Sequence, residues 1–319
     1  MPNIYKELRA PLIKWSGSKR KQAPYIVSLF PKRINTYYEC FLGGGSVLHE
    51  VMNRILDGTM RVNRLVGSDL NSDLIGIWSL FRKDRNRLFD YYVSEHEELK
   101  RRGEPDITPD TREQCNKCQH FYYEERERFN RMAKTDPERP MLFFWLMRTS
   151  FNGLVRYNGK GEFNSPFHVG GRFGITPDML RPVFDEWARC IGSLNVTFVN
   201  DSYDNVVAAA RQGDLVYMDP PYANVGPMYF AEGFDQDHMF DVMRSLTAKG
   251  VKFALSYDGK TGDKDTTVAI PRDTYLTHEY VYSGQSSFRK LDRIDVTEVH
   301  ESLYLNYTPE KRPQQTKLI

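Results

Sequence analysis

Four cysteines in 319 residues are too few to build a disulfide framework, and a chain of this length buries enough apolar surface to stand without one. So sparse a use of cysteine points to a reducing compartment. No run of about 18 apolar residues exists, so no membrane span is expected. The opening MPNIYKELRAPLIKW is broken by charges and lacks the apolar core of a signal peptide. Neither sign of charge dominates, since 44 Lys and Arg against 42 Asp and Glu leave a net charge of +2. That excludes holding nucleic acid by bulk charge, and any polyanion has to meet a local basic face. Internal repeats and low-complexity tracts are missing too. What remains is an ordinary globular composition with length for about two domains.

Short apolar runs alternate with helical patterns at both ends of the chain. Strands are expected over 36–40, 64–68, 195–199, 215–218, 251–256, 277–282 and 300–306, and helices over 46–56, 71–81, 203–211 and 236–249. Such alternation reads as βαβ units around a mostly parallel sheet. Several of the strands end at an acid, and open α/β sheets bind ligands at the carboxyl ends of their strands. The stretch 82–194 breaks the rhythm. It opens on the charged run Arg82–Arg87, continues as helices with a loop near 103–106, and holds a buried helix at Met141–Met147 before a polar, glycine-rich loop over Thr149–Gly174. The expected organisation is therefore a sheet domain from 1–81 and 195–319 with an inserted, mostly helical domain at 82–194. The polar tail from Thr308 is expected to fray.

Several clusters can carry chemistry. Phe41-Leu42-Gly43-Gly44-Gly45-Ser46 joins a strand to a helix, where glycines allow a tight turn and close approach of a ligand to a helix N-terminus. It reads equally as a structural turn, and it is no triphosphate loop because no Gly-Lys-Ser/Thr closes it. Asp69, 26 positions after Gly43, is placed to receive ribose hydroxyls or to cap the following helix. Asp219-Pro220-Pro221-Tyr222 is more specific. Its prolines remove two backbone donors, leaving the Asp219 carboxylate and the Pro220 carbonyl as acceptors beside an aromatic ring. That suits a planar substrate with an exocyclic amino group. Lys14–Lys21 reads as a phosphate or carboxylate contact, or as a solvated basic end. The loop Arg148–Asn158, with two arginines, two amides and two aromatics, offers base-edge forks and a wedge, or is a plain surface hairpin. Cys115 and Cys118 with His120 make half a zinc site at most, and read better as two helix-borne cysteines.

The order of these motifs resembles the Dam-type (D12 class, alpha group) DNA adenine-N6 methyltransferases. The resemblance rests on Lys14–Arg20, Phe41–Val47, Ser68–Leu74, the FNGLVRYN loop with Gly161–Phe167, and Asp219–Tyr222, and it covers about Leu12 to Tyr307. It departs at Ser16 and Ser18, at Cys40 where a proline is usual, at His168-Val169, and in a long segment over 99–140. The resemblance implies a Rossmann-like α/β methyltransferase sheet with an inserted DNA-recognition domain, S-adenosyl-L-methionine (AdoMet) as cofactor, and no required metal. It implies cofactor contacts at Trp15, Lys19, Phe41, Gly43, Gly45, Ser46, Asp69, Asp201 and Asp219. It implies catalytic roles for Asp219, Pro220 and Tyr222, and DNA contacts at Lys14, Phe151, Asn152, Leu154, Arg156 and Pro166. Its partner is double-stranded DNA in the cytoplasm of a bacterium or of a phage's host, with a cognate restriction endonuclease acting separately as one option. A monomer or weak dimer is expected.

The implied chemistry is that Asp219 and the Pro220 carbonyl hold an adenine amine for attack on a sulfonium methyl. The base must leave the duplex, stack on Tyr222, and have its place taken by Phe151. Two other readings are an AdoMet-dependent methyltransferase of RNA or a protein amide, and an AdoMet-sensing DNA-binding protein without turnover. The target sequence stays open, with GATC the family's common site.

Overall fold

The structure, a computed structural model, describes residues 11–103, 112–168, 175–221, 234–262, 264–285 and 298–310. The chain starts with α1 (Ala23–Ser28), β1 (Arg33–Glu39), α2 (Ser46–Leu56) and β2 (Arg61–Ser68). Four helices follow: α3 (Ser72–Gly103), α4 (Arg112–Arg131), α5 (Arg139–Thr149) and α6 (Pro177–Ser193). The chain then returns through β3 (Val196–Val199), α7 (Tyr203–Val207), β4 (Leu215–Met218), α8 (Gln236–Ala248), β5 (Lys252–Thr261), β6 (Lys264–Asp265), β7 (Thr277–Gln285) and β8 (Glu298–Leu305). Its described residues form two compact units, one drawn from Lys19–Leu70 with Leu194–Ile319 and one from Met1–Ser18 with Asn71–Ser193.

The first unit is a sheet in the order β3-β2-β1-β4-β5-β8-β7, with β6 paired to β5. From β3 to β5 neighbours run parallel, and β8 lies antiparallel between β5 and β7. All four residues of β4 are buried, as a short continuous apolar run in a central strand should be. Val216 and Val66 flank Tyr38 in register, and Phe253, Leu255, Met243 and Leu246 continue the same core. The buried Asp214 carboxylate aligns β4 with β1 by accepting from Asn35 Nδ2 (3.0 Å) and the Thr36 amide (2.9 Å). The chain builds outward from β1 through β2 and β3, then resumes on the other side of β1 with β4 and β5. The order thus reverses between β1 and β4, which is where open α/β sheets leave a crevice for a ligand.

The second unit is mostly helical and takes in Asn71–Ser193 together with Met1–Ser18. The charged run at 82–87 does not end the helix. Asp84 leaves helical geometry (φ −154°, ψ 75°), its carboxylate takes the Arg87 amide at 3.1 Å, and α3 continues past the bend. Its apolar face decides the matter. Trp78 packs on Trp187 (4.8 Å), and Phe81 and Phe89 both pack on Phe184 (5.1 Å each), so both halves of α3 belong to one core. Every residue of α5 from Met141 to Thr149 is buried, which makes it the central helix of this unit.

A buried ion pair fastens these helices. Arg139 Nε lies 2.6 Å from Asp73 Oδ1, and Lys134 Nζ lies 2.8 Å from Oδ2. Arg139 also donates to the Phe129 and Met132 carbonyls at the end of α4, at 2.7 and 2.9 Å. Burial pushes the Asp73 carboxyl up, but hydrogen bonds from Arg139 and Lys134 outweigh it and hold the group below the usual carboxylate range. Removing one partner of such a pair strands the other charge. Asp73→Asn should therefore cost about 3–5 kcal/mol of stability in chemical denaturation at pH 7. Because the folded-state value is depressed, the deficit should shrink as pH falls through and below the ordinary carboxylate range.

Candidate active site

At the end of β1 the chain turns through Cys40–Gly45. Gly43 (φ 47°) and Gly45 (φ 64°) are left-handed, a conformation that glycine adopts without a Cβ clash. Leu42 donates its amide to Ser68 (2.9 Å), and Gly45 donates to Leu42 (2.7 Å). The Gly43 amide donates to Asp69 Oδ2 at 3.1 Å, so the acid at the end of β2 holds the glycine turn. Asp69 does not cap the next helix, because Asn71 Oδ1 takes the Leu74 amide at 3.0 Å. Asn200 Nδ2 reaches the carbonyls of Asp69 (2.9 Å) and Leu70 (3.0 Å) and ties the ends of β2 and β3. Asp201 Oδ1 accepts from the Ser202 amide (2.8 Å) and Asn205 Nδ2 (2.9 Å) at the start of α7. The Phe41 ring packs on Tyr203 (5.3 Å) and Phe234 (6.0 Å), and Ser46 opens α2.

Across the reversal in strand order, β4 ends at Asp219 and the buried Pro220. Lys19, only 5% exposed, sets its Nζ 2.6 Å from Asp219 Oδ2 and 3.3 Å from Glu301 Oε2. Glu301 stands on β8, and its Oε1 accepts from Ser283 Oγ of β7 at 3.0 Å. Burial lowers the Lys19 pKa, but the two carboxylates raise it further, so the group remains an ammonium at neutral pH. Below it, Tyr37 Oη donates to the buried Glu39 Oε2 at 2.6 Å. Burial, with the Asp219 charge adding to it, pushes Glu39 up to about 8, so this carboxyl carries its proton at neutral pH.

The expected DNA-contacting residues lie in the helical unit. The segment from Ser150 to Phe167 is more ordered than the loop expected there, with antiparallel bridges Ser150–Phe167 and Tyr157–Phe163. Phe151, 47% exposed, donates its amide to the Pro166 carbonyl (2.8 Å), and Asn152 beside it is left-handed (φ 53°). Leu154 accepts from Ser165 Oγ, and exposed Arg156 donates from Nε to Asn164 Oδ1 at 2.9 Å. Helix α4 braces the hairpin. Tyr122 Oη reaches the Ser165 carbonyl (3.0 Å), and Asn130 exchanges hydrogen bonds with the Phe163 backbone (3.0 and 2.8 Å). The long segment that departs from the resemblance thus supplies this support. Lys14 lies across Gly153, where a Cβ would come within 2.3 Å of its Cδ. Arg148, buried, donates to the Pro11 and Leu12 carbonyls and anchors the strand of chain that carries Lys14.

The expected residues thus fall into two groups. Lys19, Phe41, Gly43, Gly45, Ser46, Asp69, Asp201, Asp219 and Pro220 belong to the sheet unit. Lys14, Trp15, Phe151, Asn152, Leu154, Arg156 and Pro166 belong to the helical unit. Tyr222 lies outside the described residues, as does the side chain of Cys115. Cys118 is buried on α4 with its thiol 3.6 Å from the Leu99 carbonyl. Among the described residues no group of three or more His, Cys, Asp or Glu side chains could hold a metal ion. Sequence reasoning missed Glu301 and Glu39, and it offered Arg148 as a base-edge fork on a loop, whereas Arg148 is buried at the end of α5. The signal for Glu301 was an acid sharing a strand face with Leu303 and Leu305.

Sheet and site define a doubly wound α/β protein with a glycine turn, an acid on the next strand and a charged, proline-braced edge at its reversal point. The family model of the D12 class N6 adenine-specific DNA methyltransferases matches residues 15–285, and the chain belongs to that family. It is 30% identical to the DNA adenine methylase of Escherichia coli (strain K12) over 293 residues, covering 88% of this chain and 87% of the relative. It is 28% identical to the DNA adenine methylase of Haemophilus influenzae over 313 residues, covering 97% and 92%. It is 26% identical to the type II methyltransferase M1.LlaDCHI of Lactococcus lactis subsp. cremoris over 254 residues, covering 77% and 80%.

The raised Glu39 carboxyl has a consequence for stability. A carboxyl held up in the fold contributes most below its unfolded value and loses that contribution as pH rises towards about 8. Glu39→Gln, which keeps an acceptor for Tyr37, should gain melting temperature over the natural protein steadily from pH 5 to about 8, by thermal denaturation at fixed ionic strength.

Proposed function

We propose that the chain moves a methyl group from AdoMet to N6 of an adenine extruded from duplex DNA, with Asp219 and the Pro220 carbonyl as the acceptors that hold the amine. The observation that carries this reading is the place of Asp219, at the carboxyl end of β4 beside the reversal in strand order and locked by a 2.6 Å contact with Lys19. Membership of the D12 class favours it over methylation of RNA or a protein amide and over a binding protein without turnover.

The residues present fit AdoMet. Two left-handed glycines let a ligand come close to the backbone at the start of α2, and Asp69 is a half-buried acid at the end of β2 suited to a ribose diol. Phe41, Gly43, Gly45 and Ser46 would hold the methionine end, Asp69 the ribose and Asp201 the adenine ring, with Trp15 and Lys19 completing the contacts. When bound, AdoMet supplies a sulfonium-activated, electrophilic methyl. The protein's own work is positional and electrostatic. Adenine N6 is a weak nucleophile because its lone pair is delocalised into the ring. Two acceptors on its hydrogens localise that pair, and the Asp219 carboxylate receives the proton that the alkylated amine sheds. Tyr222 would stack on the flipped base and Pro220 would keep the edge free of competing donors. This chemistry asks for no metal.

On the DNA side, Phe151 is a large exposed apolar side chain on a braced hairpin, suited to wedge into the step the adenine leaves. Arg156, aimed by Asn164, suits a guanine edge, with Lys14, Asn152, Leu154 and Pro166 beside it in the reading. The protein would act in the cytoplasm as a monomer or weak dimer. A cognate endonuclease, acting separately, would accompany it if it serves in restriction and modification.

Asp219→Ala should lower single-turnover formation of N6-methyladenine by about a thousandfold or more while AdoMet still binds, and retained turnover would end the assignment. Asp69→Ala should weaken AdoMet binding at least about tenfold by calorimetry, with Asp69→Asn between it and the natural protein, since the amide keeps an acceptor for Gly43. Arg156→Ala should relax discrimination at one base of the target by about 1–3 kcal/mol in kcat/KM, where uniform weakening across sequences would mark a phosphate contact instead.

A further inference from the structure

We infer that Glu301 is a positioning residue for methyl transfer: from β8 it holds the Lys19 ammonium in common with Asp219, and so fixes both the orientation and the acceptor strength of the Asp219 carboxylate. This rests on the reading that Asp219 grips the target amine.

The geometry gives Lys19 two carboxylates from different strands. Its Nζ is 2.6 Å from Asp219 Oδ2 and 3.3 Å from Glu301 Oε2, and the lysine is almost wholly buried. Its backbone is pinned as well, because the Lys19 carbonyl accepts the amides of Gln22 (2.9 Å) and Ala23 (2.7 Å) where α1 begins. Two acids thus meet the far end of the side chain. Glu301 is itself held, since Ser283 Oγ donates to Oε1 at 3.0 Å from the neighbouring strand. The chain of contacts Ser283–Glu301–Lys19–Asp219 therefore runs from β7 through β8 to the end of β4.

Charge gives this chain its purpose. An ammonium paired with Asp219 alone would neutralise it and draw electron density from the oxygens that have to accept hydrogens from the amine. A second carboxylate on the same ammonium restores a net negative site and leaves Asp219 the stronger acceptor. Glu39, the buried acid at the end of neighbouring β1, keeps its proton at neutral pH and so does not supply that charge. Tyr217, buried under Asp219 and hydrogen-bonded to Ser256 at 2.8 Å, stays neutral as well. Glu301 thus bears directly on the balance between Lys19 and Asp219.

The test measures single-turnover methyl transfer from AdoMet to an adenine-containing duplex, with both at saturation, in the full chain. Glu301→Gln should cut the rate constant by about 10- to 100-fold while the dissociation constants for AdoMet and DNA change by less than about twofold. Glu301→Asp, which keeps the charge on a shorter arm, should recover a substantial part of that loss. Ser283→Ala should lower the rate in the same direction by a smaller factor, and serves if the glutamine variant folds poorly. The decisive arm is a double-mutant cycle. In a Lys19→Met background, Glu301→Gln should have little further effect, because its influence passes through the ammonium. An unchanged rate in Glu301→Gln, or an equal loss with and without Lys19, overturns the inference. Failure of Asp219→Ala to lose activity would instead overturn the assignment of Asp219, so the two failures are separable.

Discussion

A charge taken out of water needs a partner, and one buried ion pair organises each compact unit of this protein. In the sheet unit the buried Lys19 ammonium is held by Asp219 and Glu301, which fixes the edge of β4 where the strand order reverses. In the helical unit the buried Asp73 carboxylate is held by Arg139 and Lys134, which joins α3 to the end of α4 and the start of α5. Such pairs gain little net stability over well-packed apolar groups, yet losing one partner is expensive. Their contribution is therefore to geometry. They define where a carboxylate points and which helices meet.

The residues proposed to face the cofactor in the sheet unit follow from backbone constraints as much as from side-chain chemistry. A turn that needs left-handed residues at 43 and 45 accepts glycine, and the missing side chains are what would let a cofactor approach the first turn of α2. Asp69 then does double duty, since one oxygen braces the Gly43 amide while the group stands at the end of β2. The hairpin of the helical unit follows the same logic. Asn164, Ser165 and Pro166 on one arm hydrogen-bond to Arg156, Leu154 and Phe151 on the other, so the residues proposed to meet DNA sit on a braced frame.

Much of this was legible in the residues themselves. The apolar runs marked β1 to β5, and α2 was bounded at Ser46 and Leu56 as its pattern predicted, because a glycine turn precedes an amphipathic stretch there. The motif order led to the D12 class, which the family match bears out. Other features were hidden. The charged run at 82–87 suggested a boundary, but its side chains sit on the exposed face at a bend while Phe89 and Tyr92 carry the helix on into the core. The segment 150–167 read as a polar loop or a surface hairpin, and its two isolated bridges left no periodicity to decide between them. That β7 and β8 run antiparallel to each other, with β8 antiparallel to β5, is a matter of pairing that local composition does not encode.

The sequence by itself determined the types of element, the glycine turn and the Asp219-Pro220-Pro221-Tyr222 motif, because each depends on residues close together in the chain, and it determined the family through the order of its motifs. Only the tertiary structure decided which side chains Lys19 meets. Nothing near it in the chain marks Asp219 or Glu301 as its partners, and their meeting depends on β4 and β8 lying on either side of β5 in the finished sheet. Ion pairing in an interior is set by proximity in space, and proximity between distant segments is a property of the fold.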